Sequence, residues 1–154
     1  MILDEMAPRR QHQIIATDLD AAVLDKARNA GPYTRSELKN FSEAQLSKWF
    51  DKQDDDEYRV NEKIRKPVAV KRHNLLLDRF DSDFDLIVCR NVAIYFSDEA
   101  KHDLNKRFSA SLKPGGYFFI GGTETLLDSS SVGFERRATS FYQRAENIGE
   151  AKAA

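Results

Sequence analysis

The 154-residue sequence holds a single cysteine, Cys89, which excludes an internal disulfide framework and argues against a structural zinc cluster. Neither sign of charge is in excess. Against 25 acidic residues stand 24 basic ones, for a formal net charge of -1, so the composition gives no global argument for nucleic acid or an anionic membrane as partner. No apolar run approaches membrane-spanning length, and the opening MILDEMAPRRQHQ lacks the apolar core of a signal peptide. A cytoplasmic protein without membrane insertion is expected. His12, His73 and His102 have no cysteine or carboxylate at ligand spacing, so no metal is expected. There is no P-loop and no GxGxxG; Gly115-Gly116 and Gly121-Gly122 read as turn and strand-end features. No Ser/His/Asp or Cys/His constellation stands out.

What is present is a rhythm of strands and helices in one domain, residues 1–154, long enough for a real core. Residues 1–12 read as the tail of a helix. QIIAT (13–17) reads as a strand ended by Asp18, and Asp20 as the N-cap of a helix over AAVLDKARNA, stopped at Gly31-Pro32. SEAQLSKWF predicts a short helix, with Ser42 and Gln45 at capping-box spacing, and YRVNEKI a small exposed strand. PVAVKRHNL and FDLIVC (84–89) predict further strands, the latter buried. Ser97 caps a helix whose face carries Ala100, Leu104, Phe108 and Leu112, and Lys113-Pro114-Gly115-Gly116 ends it. YFFIGG predicts another buried strand, and FERRATSFYQR a closing hairpin. Helices separating strands with two-sided apolar runs imply an α/β fold with a mostly parallel sheet, and residues 33–70 read as a small inserted β-subdomain.

In open parallel sheets ligands bind beyond the carboxyl ends of the strands. Asp18 follows QIIAT, Asn74 and Leu75 follow VAVKRH, and Arg90 and Asn91 follow DLIVC. An acid at a strand end can accept both hydroxyls of a ribose, and an amide at a neighbouring end can read an adenine edge. The set points to an adenosine-bearing ligand. Each residue also has a plainer reading: Asp18 as a helix-start acid, Asn74 as a turn residue, Arg90 as a salt-bridge or capping residue, Tyr95 as a packed aromatic, Cys89 as a buried small hydrophobe.

Taken in order, ATDLDAAVLDKARNAGPYTRSEL, HNLLLDRFDSDFDLIVCRNVAIYF and SLKPGGYFFIGGTETL resemble the CheR-type chemotaxis receptor methyltransferases over about residues 13 to 145. The resemblance implies an incomplete Rossmann-like class I methyltransferase sheet with the inserted β-subdomain. It implies S-adenosylmethionine as cofactor, S-adenosylhomocysteine as product, and methylation of glutamates on receptor cytoplasmic helices. On the matching motifs it implies that Asp18 binds the cofactor ribose, that Asn74 and Leu75 lie near the adenine, that Arg90 and Asn91 line the cofactor pocket, and that Tyr95 lies by the methyl-transfer site. In some members the β-subdomain docks a tethering peptide; the short acidic FDKQDDDEYRV resembles members that work without one.

The departure from the family lies before residue 13, where neither its N-terminal helical domain nor its first sheet strand with a Gly-containing cofactor loop of the STGEE type is found; the family's sheet order implies a gap there between the strands at QIIAT and DLIVC. A truncated chain of low activity is therefore expected, with a homodimer through exposed sheet edges, or direct pairing of the two strands flanking the gap, as alternatives. The second functional hypothesis is a non-catalytic module that binds receptors or other partners; a nicotinamide-dependent oxidoreductase shares the strand-end acid but lacks the diphosphate loop.

Overall fold

In the computed structural model, which describes residues 1–122, 124–126 and 128–146, the chain divides into two compact units, Met1–Asn74 and residues 75 onward. The first unit opens with helix α1 (Ile2–Met6) and strand β1 (Ile14–Asp18). Asp20 then starts α2 (Ala21–Arg28): its Oδ1 accepts the backbone N–H groups of Ala22 at 2.7 Å and Val23 at 3.3 Å, two of the donors a helix start leaves unpaired. Leu24 of α2 is buried, whereas Val23 is half exposed.

Next come β2 (Tyr33–Thr34), α3 (Glu43–Trp49), β3 (Phe50–Lys52) and β4 (Glu57–Val60). The strands pair antiparallel in the order β2-β4-β3 over a core of Leu38, Leu46, Trp49 and Phe50. The capping box forms as the spacing predicts: Ser42 Oγ accepts the Gln45 N–H at 3.2 Å, and Gln45 Oε1 accepts the Ser42 N–H at 2.9 Å. Gly31 has φ 138°, and a Cβ on it would lie 2.9 Å from the Tyr58 carbonyl oxygen, so only glycine fits there. The strand predicted over YRVNEKI is shorter than expected. It stops at Val60 because Asn61 Oδ1 accepts the Ile64 N–H at 3.2 Å and begins a single turn of helix, α4 (Glu62–Arg65). Strand β5 (Val68–Arg72) then pairs parallel with β1, from Ile14 opposite Val68 to Asp18 opposite Arg72.

The second unit holds β6 (Phe84–Cys89), α5 (Asp98–Ser111), β7 (Leu112–Ile120), β8 (Phe134–Ala138) and β9 (Phe141–Arg144). They form a sheet of order β6-β7-β9-β8, with β6 and β7 parallel and the rest antiparallel. Ser97 caps α5, its Oγ accepting the Ala100 N–H at 3.3 Å. At the other end the Arg144 guanidinium donates to the carbonyls of Ala110 (3.5 Å) and Leu112, acceptors left open where the helix stops. Lys113–Gly116 do not form a separate turn. Leu112 is already extended, at φ -80° and ψ 151°, and the segment runs directly into β7.

Leu104 and Phe108 of α5 meet Leu112, Phe118, Ile120, Phe134 and Tyr142 from the sheet. The rings of Phe108, Phe118 and Phe134 follow one another at 4.8 Å and 5.4 Å between centroids. The expectation that β6 is buried on both faces is not met. Ile87 and Cys89 pack towards this core, but Leu86 and Val88 point the other way and are 46% and 57% exposed, beside the exposed Tyr117 and Phe141. The reason is that α5 covers only one face of the sheet among the described residues.

Phe118→Ala is therefore expected to cost about 3–5 kcal/mol, and Val88→Ala to stay within about 0.5 kcal/mol, read from urea unfolding midpoints at constant slope.

Candidate functional site at the strand ends

Parallel pairing brings the carboxyl ends of β1 and β5 to one rim of the first unit. Asp18 closes β1 opposite Arg72, and the His73 N–H donates to the Asp18 carbonyl at 3.0 Å, so Asn74 follows directly on the same rim. The Asp18 side chain is exposed. Its Oδ1 accepts the N–H groups of Leu19 (2.7 Å) and Asp20 (3.0 Å), while its Oδ2 carries no hydrogen bond among the described residues. One oxygen thus fixes the carboxylate on its own turn and the other is available; Asp18 ends β1, and the helix-start acid is Asp20. Asn74 is half-buried and closes the first unit.

In the second unit Leu75 is half-buried and packs against the α5–sheet core, and its carbonyl accepts Arg107 Nη1 at 2.6 Å. That anchoring was not foreseen for a residue singled out as lying near an adenine. Arg90 and Asn91 leave the carboxyl end of β6. Arg90 makes no ion pair among the described residues; its guanidinium lies over the Phe119 ring, 5.7 Å from the centroid, on the sheet face that α5 does not cover. Asn91 has φ 59°, the left-handed conformation, which asparagine tolerates better than most residues. Its N–H donates to Glu124 Oε2 at 3.0 Å, and the same oxygen accepts the Gly121 N–H at 2.8 Å. Glu124 was not among the residues the sequence singled out. Its only signal was its place just after a Gly-Gly strand end.

Tyr95 is not a packed aromatic. It sits on a 3-10 turn, Ala93–Tyr95, with 81% of its surface exposed, and its hydroxyl makes no hydrogen bond among the described residues. Val92 and Ile94 beside it are exposed as well, whereas Phe96 turns back onto the core. Among the described residues no helix is long and apolar enough to cross a membrane, and no group of three or more His, Cys, Asp or Glu could hold a metal ion.

The family model described as "CheR methyltransferase, SAM binding domain" matches residues 1–141. A chemotaxis protein methyltransferase from Listeria monocytogenes is 38% identical over 142 residues, covering 92% of this chain and 53% of that protein. Chemotaxis protein methyltransferase 1 from Pseudomonas aeruginosa is 42% identical over 117 residues, covering 74% of this chain and 42% of its own length. The chain thus spans about half the length of these curated relatives. Among solved structures, a possible exported protein from Bordetella parapertussis superposes with a TM-score of 0.54 at 15% identity, over 88% of this chain and 54% of that one, a likeness of fold alone.

Cys89, at the end of β6, has its thiol pushed up to about 11, first by burial and then by the nearby Glu124 carboxylate, which opposes a second negative charge. Because the folded-state value lies above the unfolded one, the unfolded chain loses this proton first. The stabilisation is complete below an ordinary thiol pKa and is lost as pH rises towards about 11. The urea midpoint of the wild type is expected to fall more steeply across that alkaline window than that of Cys89→Ala. Near neutral pH, iodoacetamide is expected to label the native chain far more slowly than the urea-unfolded one.

Proposed function

The chain belongs to the CheR methyltransferase SAM-binding domain family, and on that premise we propose that it binds S-adenosylmethionine and takes part in O-methylation of glutamate side chains on chemotaxis receptors. The observation that carries this reading is the unengaged carboxylate oxygen of Asp18 at the carboxyl end of β1, the end of a parallel strand where a ligand of such folds binds. An exposed acceptor there suits the ribose of an adenosine-bearing ligand. In the first unit Asp18 offers an unengaged carboxylate oxygen to a ribose diol and Asn74 would lie near the adenine; in the second, the family resemblance assigns Leu75 to the adenine and Arg90 and Asn91 to the cofactor pocket.

When bound, S-adenosylmethionine supplies a methyl group on a positively charged sulfur. A free glutamate has a pKa of about 4.3, so the acceptor carboxylate is already ionised at neutral pH and the chain has no proton to remove. The work left to its residues is orientation, worth about 7–11 kcal/mol at best. Tyr95, exposed and with an unengaged hydroxyl, is the residue proposed to position that carboxylate. The acceptor would be a helix of a receptor's cytoplasmic part.

Calorimetric titration of the purified chain with S-adenosylhomocysteine tests the reading. Binding in the micromolar range, about 8 kcal/mol, is expected. Asp18→Ala should weaken it by about tenfold or more, equivalent to about 1.4 kcal/mol. No binding by a folded sample would refute cofactor binding by this chain and leave the non-catalytic, partner-binding module. A second outcome concerns Tyr95: Tyr95→Phe is expected to keep the affinity for S-adenosylhomocysteine while lowering methyl incorporation into receptor fragments, and full turnover by that variant would remove the phenol hydroxyl from the mechanism.

A further inference from the structure

Glu124 is half-buried in the loop after β7, and a single oxygen of its carboxylate holds two backbone N–H groups that lie just beyond the ends of two strands. Gly121 follows the last residue of β7. Asn91 stands two residues beyond the end of β6, whose Cys89 lies opposite Ile120 of β7. The Glu124 N–H in turn donates to the Gly121 carbonyl at 3.1 Å, which folds the loop back so that the carboxylate meets its own strand end. Gly121 leaves the room for this: a Cβ there would collide with Glu124 Oε2 and lie 3.1 Å from Asn91 Oδ1. Asn91 itself stands in the left-handed region, a conformation of modest cost that persists when its surroundings hold it. A charged acceptor shared by two N–H donors is the strong kind of hydrogen bond, and it is the means by which Asn91 is held.

We infer that Glu124 is a positioning residue: its carboxylate clasps the ends of β6 and β7 and so fixes the left-handed backbone of Asn91 at the rim where an adenosine-bearing ligand is taken. The clasp stands on geometry alone; its role towards the ligand rests on the function proposed above.

Two measurements on the whole chain separate these parts: hydrogen exchange of assigned amides, and calorimetry with S-adenosylhomocysteine. In Glu124→Ala the amides of Asn91 and Gly121 should exchange about tenfold faster or more, with the amides of the β6–β7 ladder unchanged, and the affinity should fall about tenfold. Glu124→Gln, whose amide oxygen can still accept both N–H groups, should stay within about threefold of the wild-type affinity. Gly121→Ala should displace the intact carboxylate and reproduce the loss, and combining it with Glu124→Ala should add nothing further, since both remove one interaction. Unchanged exchange at both amides overturns the clasp whether or not the ligand binds. Faster exchange at those two amides with wild-type affinity overturns the positioning role. If the wild-type chain binds no S-adenosylhomocysteine, the function proposed above fails and takes the role towards the ligand with it, while the exchange rates still decide the clasp.

Discussion

Two strands that pair in parallel must end on the same side, and in each unit that constraint gathers the polar residues. In β1 and β5 it sets Asp18 opposite Arg72, so Asn74 arrives on the rim that Asp18 already occupies. In β6 and β7 it sets Cys89 opposite Ile120, which brings Asn91 and Gly121 within reach of one carboxylate. Antiparallel strands would send the chain away at alternate ends. Each unit's rim is therefore a consequence of strand direction, and strand direction is held in the second unit by α5, which carries the chain from the end of β6 back to the start of β7.

That crossover depends in turn on the core between α5 and the sheet. Leu104 and Phe108 give the helix an apolar stripe, and Phe118, Ile120, Phe134 and Tyr142 receive it. The ends of the helix are closed by polar groups: Ser97 at its start, and Arg144 of β9 on its last carbonyls. Arg144 thus ties the edge hairpin to the same helix that directs β7. On the sheet's other face Leu86, Val88, Tyr117 and Phe141 remain exposed, and Arg90 lies over Phe119 at their margin. An apolar face of this kind is a surface that soluble proteins seldom leave open.

Much of this was legible where the signal is local. Asp20, the Ser42–Gln45 pair and Ser97 cap the helices that their spacing announces, because a cap depends on atoms within four residues. Strands β1, β5, β6 and β7 and the closing hairpin were legible from their apolar runs, whereas the short β2 and β3 were not read from the sequence. What could not be read was anything decided by a distant partner. The run DLIVC has the composition of a strand buried on both faces, but whether a second layer covers it is not written in those residues. YRVNEKI continues the alternation of a strand into a segment where Asn61 prefers to cap a turn. Leu75, next to Asn74, belongs with the core of the second unit, and Glu124 has no significance until β6 and β7 lie side by side.

The choice of a carboxylate at position 124 follows from the same geometry. A half-buried acid loses hydration, and that cost is offset only if its surroundings supply donors. Here the backbone supplies them, because strand ends leave N–H groups that the ladder no longer satisfies, and Gly121 and Asn91 each contribute one to Oε2. The negative charge also bears on Cys89, which it helps keep protonated, so the end of β6 stays neutral where a thiolate would repel the acid. A neutral thiol, two N–H donors and one carboxylate form a self-consistent group at this rim. Its outward consequence is a fixed Asn91, an exposed amide held in a single backbone conformation at the mouth of a parallel strand pair.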